Sequence, residues 1–366
     1  MRIPAIFSLY LSRHFLLWLA GVFATLLAIV AMFDIVELLR KGSAKEEVTT
    51  EVLIQMSLLK LPHLVQDMLP FAVLLGGMMC FWRLARANEL VVARAAGVSA
   101  WQFLTAPIII TFITGVLLVT IFNPFAAAMR ANYEAMESKY LGKNRAEFAV
   151  SETGVWLRQG SQDEQDVIHA DKVVGAGDAA TLEDVVVLEL EAGDRFVGRI
   201  DAANAVLRNG YWELNSAYLS QPGADTRFVE TYRLGTNLTM KGIQDSFASA
   251  DTLSFWELPR FIGTMEEAGF NANAHRLYLH SLLATPVLLC AMVLIAAIFS
   301  IRTSRRSSTG MMVVGGVLSG FLLYFFTNVV HALGLSMSIP AEFAAWTPAG
   351  VSTMLGVTAL LHLEDG

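Results

Sequence analysis

Long stretches without a charged residue dominate the pattern of hydrophobic and polar positions along this chain. About 20 apolar residues are enough to cross a bilayer as a helix. A segment at Leu61–Trp82 meets this length with Asp67 as its one interruption. Five further runs lack Asp, Glu, Lys and Arg altogether and are each 20 residues or longer: His14–Phe33, Ala95–Met129, Leu277–Ile301, Ser307–Ala341 and Phe343–Leu363. The pattern therefore predicts a polytopic α-helical membrane protein with six transmembrane helices.

The segment between the third and fourth spans follows a different pattern, in which short apolar stretches alternate with turn residues. The pair Asn209-Gly210 separates two strand-like runs. It is a strong hairpin signal, because a type I′ turn needs positive φ at both central residues. Further turns are indicated at Gly175–Asp178 and at Pro222-Gly223. We therefore predict a β-rich domain of jelly-roll, sandwich or barrel type, inserted between helices 3 and 4 and flanked by helical connectors.

Composition supports a division of the chain into a membrane body and one charged insert. Residues 1–123 carry helices 1–3, residues 124–276 the β-rich domain and residues 277–366 helices 4–6. With 55% hydrophobic and 16% charged residues, the chain is more apolar than soluble domains, which average about 45–50% and about 25%. The insert holds 14 basic and 23 acidic residues, a balance of −9 within a formal net charge of −7. The membrane body is therefore slightly basic.

The orientation in the membrane follows from Lys and Arg in the short loops, which favour the cytoplasmic side. One side carries four such residues: Arg40, Lys41, Lys45 and Lys60. The other side carries eight: Arg2, Arg13, Arg83, Arg86, Arg94, Arg302, Arg305 and Arg306. This bias predicts cytoplasmic termini and a large domain on the outer face, which is the periplasm in a Gram-negative bacterium.

Motifs for catalysis or nucleotide binding are missing from the sequence. It has no Walker A motif, no His-Glu-x-x-His, no Cys-x-x-Cys and no Gly-x-Ser-x-Gly. We therefore expect a chain that is not an enzyme, binds no cofactor or metal of its own and has no nucleic-acid partner. Asp67 is an acid inside a span-like segment, which keeps an ion-coupled transporter open. Alternatively, Asp67 lies at the outer interface, with the helix starting near Met68 and kinking at Pro70.

A short amphipathic helix is predicted between the second and third spans, at about residues 88–97. Asn88 is a candidate N-cap, and Gly97 is a candidate C-terminal stop. Leu90, Val91 and Ala95 fall on one side of this helix, while Glu89 and Arg94 point outward. Such a helix is either an interfacial connector or the element through which a partner protein moves the membrane helices.

Charges and aromatic residues near the ends of two spans suggest contacts with a lipid. Asp34, Glu37 and Lys41 share one helix face after span one. This face is either a solvated helix end or a site where Arg40 and Lys41 bind the phosphate of a lipid headgroup. In span five, Gly316-x-x-x-Gly320 permits close helix packing. The aromatic stretch that follows it either packs against neighbours or lines a lipid-sized cavity; its residues include Phe321, Tyr324 and Phe325.

The order of these features resembles that of the LptF/LptG permeases, which belong to the bacterial lipopolysaccharide-export ABC transporter. The short helix contains Asn88-Glu89-Leu90-Val91-Val92 and closes in Ala95-Ala96-Gly97-Val98-Ser99. Ile35–Lys41 follows span one, and Gly154-Val155-Trp156 opens the insert. The resemblance covers essentially the whole chain and is closer to the LptG type. One departure is Asp34, where LptG proteins can carry a basic residue.

The resemblance implies a set of partners and residue roles. The short helix would be the coupling helix that sits in a groove of a separate ATPase dimer of the LptB type, which holds ATP and Mg. Further expected partners are an LptF-type permease, a single-span LptC-type protein and an LptA-type β bridge. Its coupling residues would be Glu89, Leu90, Val91 and Arg94. Arg40 and Lys41 match the family's basic residues after span one, and spans one and five frame its lateral gate.

The leading interpretation is a permease subunit that extracts lipopolysaccharide from the inner membrane, passes it to a periplasmic bridge and is driven by ATP hydrolysis on a separate subunit. A lipid with several acyl chains needs an apolar path, which fits spans with few charges. Two alternatives remain open: an ion-coupled secondary transporter that uses Asp67, and a membrane scaffold with a periplasmic docking domain.

Overall fold

The computed structural model describes most of the chain as two compact units. One unit comprises Met1–Leu141, Asp251–Trp256 and Asn273–Gly366, and the other comprises Gly142–Ala250 and Glu257–Ala272. The segment Asp251–Trp256 therefore belongs to the first unit, although both of its chain neighbours belong to the second. The described residues are 5–42, 49–95, 97–141, 147–151, 154–160, 164–174, 181–191, 195–236, 249–267, 271–303 and 309–365.

The first unit is helical, and its described residues contain six candidate spans, which correspond to the five charge-free runs and to Leu61–Trp82. Its helices are α1 Ala5–Gly42, α2 Thr50–Arg86, α3 Glu89–Ala95, α4 Ala100–Leu117, α5 Asn123–Leu141, α7 Asn273–Thr303, α8 Thr309–Leu335 and α9 Ala341–Asp365. A π-helical turn at Leu118–Phe122 joins α4 to α5, so span three runs through both. We refer to the helical unit as the membrane unit.

Span two is longer than the sequence pattern indicated. The sequence predicted a span at Leu61–Trp82, with a start near Met68 as the alternative for Asp67, but α2 begins at Thr50 and continues through Pro62 and Pro70. Its first turns are held by apolar packing, because Leu53 and Met56 are buried with Leu38 of α1 and Tyr133 of α5. This tertiary packing stabilises a helix that the two prolines would otherwise weaken.

The centre of the membrane unit is formed by α2 and α7. Half of the most apolar window of span two and 56% of that of span four are buried, against 11% for span one and 17% for span five. A Cβ atom at Gly76 would lie 2.9 Å from Leu19 Cα, so α1 and α2 approach at backbone distance. The poorly buried helices α1 and α8 therefore present the apolar surface available to lipid or to another subunit.

The second unit is a β domain with one described helix, α6 Leu258–Glu267. Each of its seven described strands pairs antiparallel with the next, in the order β1 to β7. The predicted β-rich insert is confirmed; the described pairings follow this meander order and include no Greek-key crossover of a jelly roll. The strands are β1 Glu147–Ser151, β2 Gly154–Gly160, β3 Glu164–Val174, β4 Thr181–Glu191, β5 Arg195–Arg208, β6 Tyr211–Ser220 and β7 Arg227–Gly235.

The hairpin predicted at Asn209-Gly210 joins β5 to β6. Arg208 pairs with Tyr211, which leaves a two-residue loop. Gly210 has φ +88°, while Asn209 does not adopt positive φ. The turn is therefore not the type I′ form that the dipeptide suggested, which needs positive φ at both positions. The turn predicted at Gly175–Asp178 lies outside the described residues, whereas Gly223 has φ +83° between β6 and β7.

A buried glutamine connects strands that are not neighbours in the sheet. Gln159 of β2 donates through Nε2 to Asp166 Oδ2 and to the Gly235 carbonyl, each at 3.1 Å. Its Oε1 accepts from Trp212 Nε1 at 3.1 Å and from Thr236 Oγ1 at 2.6 Å. Since β2 and β7 lie near opposite ends of the strand order, the sheet curls around a core that contains Trp212.

Candidate functional site

The short helix α3 is delimited by two residues with left-handed backbone. Asn88 has φ +58° and Gly97 has φ +86°. The Val98 N–H donates to the Ala93 carbonyl at 3.0 Å, which is the bond that spans six residues in a Schellman C-cap. Gly97 thus ends the helix as predicted, whereas Asn88 occupies a turn rather than the extended conformation of an N-cap. Two sharp turns therefore fix α3 between spans two and three.

The predicted coupling residues occupy different environments on α3. Leu90 is 6% exposed and belongs to the main core cluster of the membrane unit. Glu89 is half-buried, and its Oε1 accepts a hydrogen bond from Tyr10 Oη of α1 at 3.2 Å. Val91 and Arg94 lie on the helix, but their side chains are outside the described set. Val92 is 67% exposed.

One packing prediction on this helix is wrong. Ala95, expected to pack, is exposed. Ala95 is the last residue of α3 and precedes the turn at Gly97. The helix therefore ends before a neighbouring element covers the Ala95 side chain. On α3, Leu90 is therefore buried against the membrane unit, while the Glu89 carboxylate is hydrogen-bonded to α1. The exposed surface of the helix includes Val92.

At the other end of α1, ion pairs hold the charged residues. Lys41 Nζ lies 2.7 Å from Glu37 Oε1 of its own helix. Asp34 is only 8% exposed and pairs with Lys60 of α2. Arg40 is exposed and makes an interaction as well. The face predicted from sequence is present, but the Asp34–Lys60 pair joins residues 26 positions apart and was not predicted.

The Asp34–Lys60 pair lies beside the small apolar cluster that packs α1, α2 and α5. Tyr133 belongs to this cluster, and Lys60 Nζ is 5.9 Å from its ring centroid. An ammonium at this distance from an aromatic face is attracted by the ring. Lys60 therefore contacts all three helices at this end of the membrane unit.

A second polar junction surrounds Asp251, which follows the β strands in sequence. Arg130 Nε of α5 donates to Asp251 Oδ2 at 2.9 Å. His63 of α2 lies 3.8 Å from the same oxygen and 3.6 Å from Asp67 Oδ2. The Asp67 side chain is 55% exposed in the membrane unit. Within the described part of the chain, these groups form no cluster that could hold a metal ion.

The residues after Asp251 are held by the π-helical turn and by α5. The Phe255 N–H donates to Asn123 Oδ1 at 2.8 Å, and Asn123 Nδ2 donates to Tyr278 Oη at 3.2 Å. Trp256 Nε1 donates to the Thr120 carbonyl at 3.0 Å, within the π-helical turn. Such turns are frequent at functional sites. We call residues 251–256 the return strap.

Span five places the predicted aromatic residues on the surface of the membrane unit. Phe321, Tyr324 and Phe325 are each more than half exposed. Next to them, α8 lies against α2, since a Cβ at Gly316 would overlap Met78, which agrees with close packing at the Gly316-x-x-x-Gly320 motif. The Tyr324 ring lies 5.8 Å from that of Phe71 of α2, whereas the exposed rings of Phe321 and Phe325 are available to lipid or another chain.

Comparison with known proteins identifies the family. A family model described as "Lipopolysaccharide export system permease LptF/LptG" matches residues 9–362. The lipopolysaccharide export system permease protein LptG of Escherichia coli K12 is 24% identical over 316 residues, 84% of each chain. The protein of the same name from Haemophilus influenzae Rd is 22% identical over 339 residues, 90% of this chain and 92% of the relative.

Proposed function

This chain belongs to the LptF/LptG family of lipopolysaccharide export permeases, and from that premise we propose that it is an LptG-type subunit driven by ATP hydrolysis on a partner. The family model covers nearly the whole chain, including all three parts of the site, and this match is the observation that carries the proposal. The chain is a non-catalytic transmembrane subunit, as the family is. We infer that lipopolysaccharide leaves the inner membrane through it toward a periplasmic bridge.

In this proposal, α3 is the lever between the ATPase and the helices. Leu90 anchors it in the core of the membrane unit, and Glu89 connects it to α1 through Tyr10. A force applied to α3 therefore reaches span one directly and span two through the short turn at Ala87-Asn88. Leu90, Val91 and Arg94 complete the coupling set, and α3 lies on the cytoplasmic side with both termini.

The lipid path follows the two poorly buried spans. Phe321, Tyr324 and Phe325 of α8 give an apolar, exposed surface suited to acyl chains. Arg40 and Lys41 lie at the end of α1 opposite to α3, where they are placed to bind an anionic headgroup. The exposed faces of α1 and α8 are then completed by the second permease, of the LptF type, and by a single-span LptC-type protein.

Co-purification of the wild-type tagged chain tests the proposal. We expect a cytoplasmic ATPase dimer and a second six-span permease to accompany it. The variant Glu89→Arg is expected to reduce ATPase recovery or lipid export by at least tenfold, because it reverses the charge of this half-buried residue and removes its hydrogen bond with Tyr10. A variant with normal ATPase recovery and normal export would contradict the coupling role, and transport by the chain alone under an ion gradient would favour a secondary transporter.

A further inference from the structure

The cations at the periplasmic end of α1 each face an acid of the same chain. Lys41 and Glu37 form an ion pair at 2.7 Å, with both side chains about half exposed. Lys60 and Asp34 form the second pair, in which the Asp34 side chain is 7% exposed and that of Lys60 is 25% exposed. The charges of Lys41 and Lys60 are therefore balanced by acids of the protein itself.

Asp34 is held under unusual conditions for a carboxylate. Its Oδ1 faces Lys60, whereas its Oδ2 is buried and has no hydrogen-bond partner among the described atoms. A buried carboxylate is costly unless it is paired and hydrogen-bonded. Lys60 therefore compensates the charge of a carboxylate that is largely removed from water.

The two pairs belong to one electrostatic set. Asp34, Glu37 and Lys41 share a helix face within two turns, about 10 Å, and both Lys60 and Arg40 act electrostatically on the Glu37 carboxylate. Three cations and two acids leave a formal balance of +1 in this set. An incoming anion thus meets two carboxylates as well as the three positive groups.

We propose that Asp34 and Glu37 are built-in counter-ions of the headgroup site, so that an anionic lipid headgroup competes with them for Lys60 and Lys41. The two carboxylates then weaken the attraction of this site for an anionic headgroup, and they weaken it more for a headgroup with more phosphates. This inference rests on the proposed function, because it assigns specificity to the same headgroup site.

Lipid binding by the chain, purified with its co-purifying subunits, tests this. Bisphosphorylated and monophosphorylated lipid A are titrated separately in detergent, with thermophoresis as the readout. Asp34→Asn is expected to tighten binding of the bisphosphorylated lipid about fivefold and that of the monophosphorylated lipid less, as expected for removing one charge near a surface. Adding Lys60→Gln to this variant is expected to abolish the gain.

Glu37→Gln provides the same test at a half-exposed position if Asp34→Asn fails to fold. The matched control is Glu191→Gln, which neutralises an acid paired with Arg195 in the β domain. Binding that is unchanged or weaker in both Asp34→Asn and Glu37→Gln would overturn the inference. Competition by inorganic phosphate alone would overturn the assignment to a lipid headgroup. A wild-type chain that binds neither lipid would instead contradict the proposed function.

Discussion

The Tyr10 hydroxyl donates to the Glu89 carboxylate at 3.2 Å, and this bond connects the first span to the short helix between spans two and three. The two residues are 79 positions apart. Leu11 and Phe15, on the following turn of α1, are buried in the same core cluster as Leu90. The start of α1 and the helix α3 therefore pack in the same core cluster, and a displacement of α3 also moves the start of α1.

Removing this hydroxyl tests whether α1 positions the Glu89 carboxylate for the coupling role proposed above. Tyr10→Phe is expected to reduce ATPase co-purification about threefold, because a hydrogen bond to a charged group contributes about 1.5–3 kcal/mol when shielded and less when exposed. The melting temperature of the chain should fall only slightly, because one exposed hydrogen bond is lost. Recovery of the ATPase with the tagged variant measures the effect.

Ser12→Ala is the control for Tyr10→Phe, since the Ser12 hydroxyl donates to the Ser8 carbonyl of its own helix. It should leave ATPase recovery at the wild-type level. Full recovery with Tyr10→Phe, together with a loss in Glu89→Arg, would show that Glu89 acts without support from α1.

The second prediction concerns the contacts that hold the return strap on the membrane unit. Asp251→Asn weakens the contact with Arg130 and removes the charge that faces His63. We expect backbone amides of residues 251–256 to exchange with deuterium at least tenfold faster, because local opening no longer breaks an ion pair. Hydrogen exchange with mass spectrometry on the full chain in detergent measures this directly.

Asp225→Asn is the matched control for the strap, since it neutralises an exposed acid in the loop between β6 and β7. It should leave exchange of the strap unchanged. Equal protection of the strap in wild-type and Asp251→Asn chains would show that the Asn123 and Thr120 bonds alone hold it.

Local patterns were sufficient to predict the membrane helices and the β insert. A run such as Leu277–Ile301 has one physical explanation at that length, and the structure places it in α7. Gly97 was equally informative, because a residue with φ +86° after a helix is usually glycine. Features that depend on residues close together in the chain could therefore be predicted from the sequence.

Features determined by distant residues were not accessible from one sequence. Lys60 contributed to the predicted orientation as a loop charge, yet it forms a pair with the buried Asp34 of another helix. Arg130 and Asp251 meet across 121 positions. No periodicity marks either pair, since the partner is set by how helices pack. The start of α2 was missed for the same reason: packing on Leu38 and Tyr133 outweighs the effect of two prolines.

Close packing of α1 on α2 gives a prediction on stability. Gly76→Ala places a methyl group 2.9 Å from Leu19 Cα, where backbone has to shift. Overpacking of this kind lowers the free energy of unfolding by about 1–3 kcal/mol. We expect a clear drop in the melting temperature of the purified chain, measured by the loss of helical circular dichroism.

Gly350→Ala in α9 is the control for the packing variant, because its new methyl group would meet no atom within 4 Å. Its melting temperature should equal or exceed that of the wild type, since alanine favours the helix over glycine. A Gly76→Ala chain as stable as Gly350→Ala would show that α1 and α2 are not tightly packed.

The β domain has its own pH response, centred on Glu189. Burial, and then the charge of Asp166 directly opposite on β3, raise the pKa of the Glu189 carboxyl. The folded state therefore binds this proton more tightly than the unfolded state, so that the contribution of Glu189 to stability is greatest at low pH and falls as the pH rises through the normal range of glutamate and above.

Glu189→Gln should raise the stability of the β domain at pH 7.5 and leave it unchanged at pH 4, where the wild-type residue is protonated as well. Urea unfolding in detergent at both pH values measures this, followed by tryptophan fluorescence in full-length chains that keep Trp212 as their one tryptophan, with Glu183→Gln as an exposed control on the same strand. Equal stabilisation at both pH values would show that packing of the amide, rather than loss of charge, is responsible.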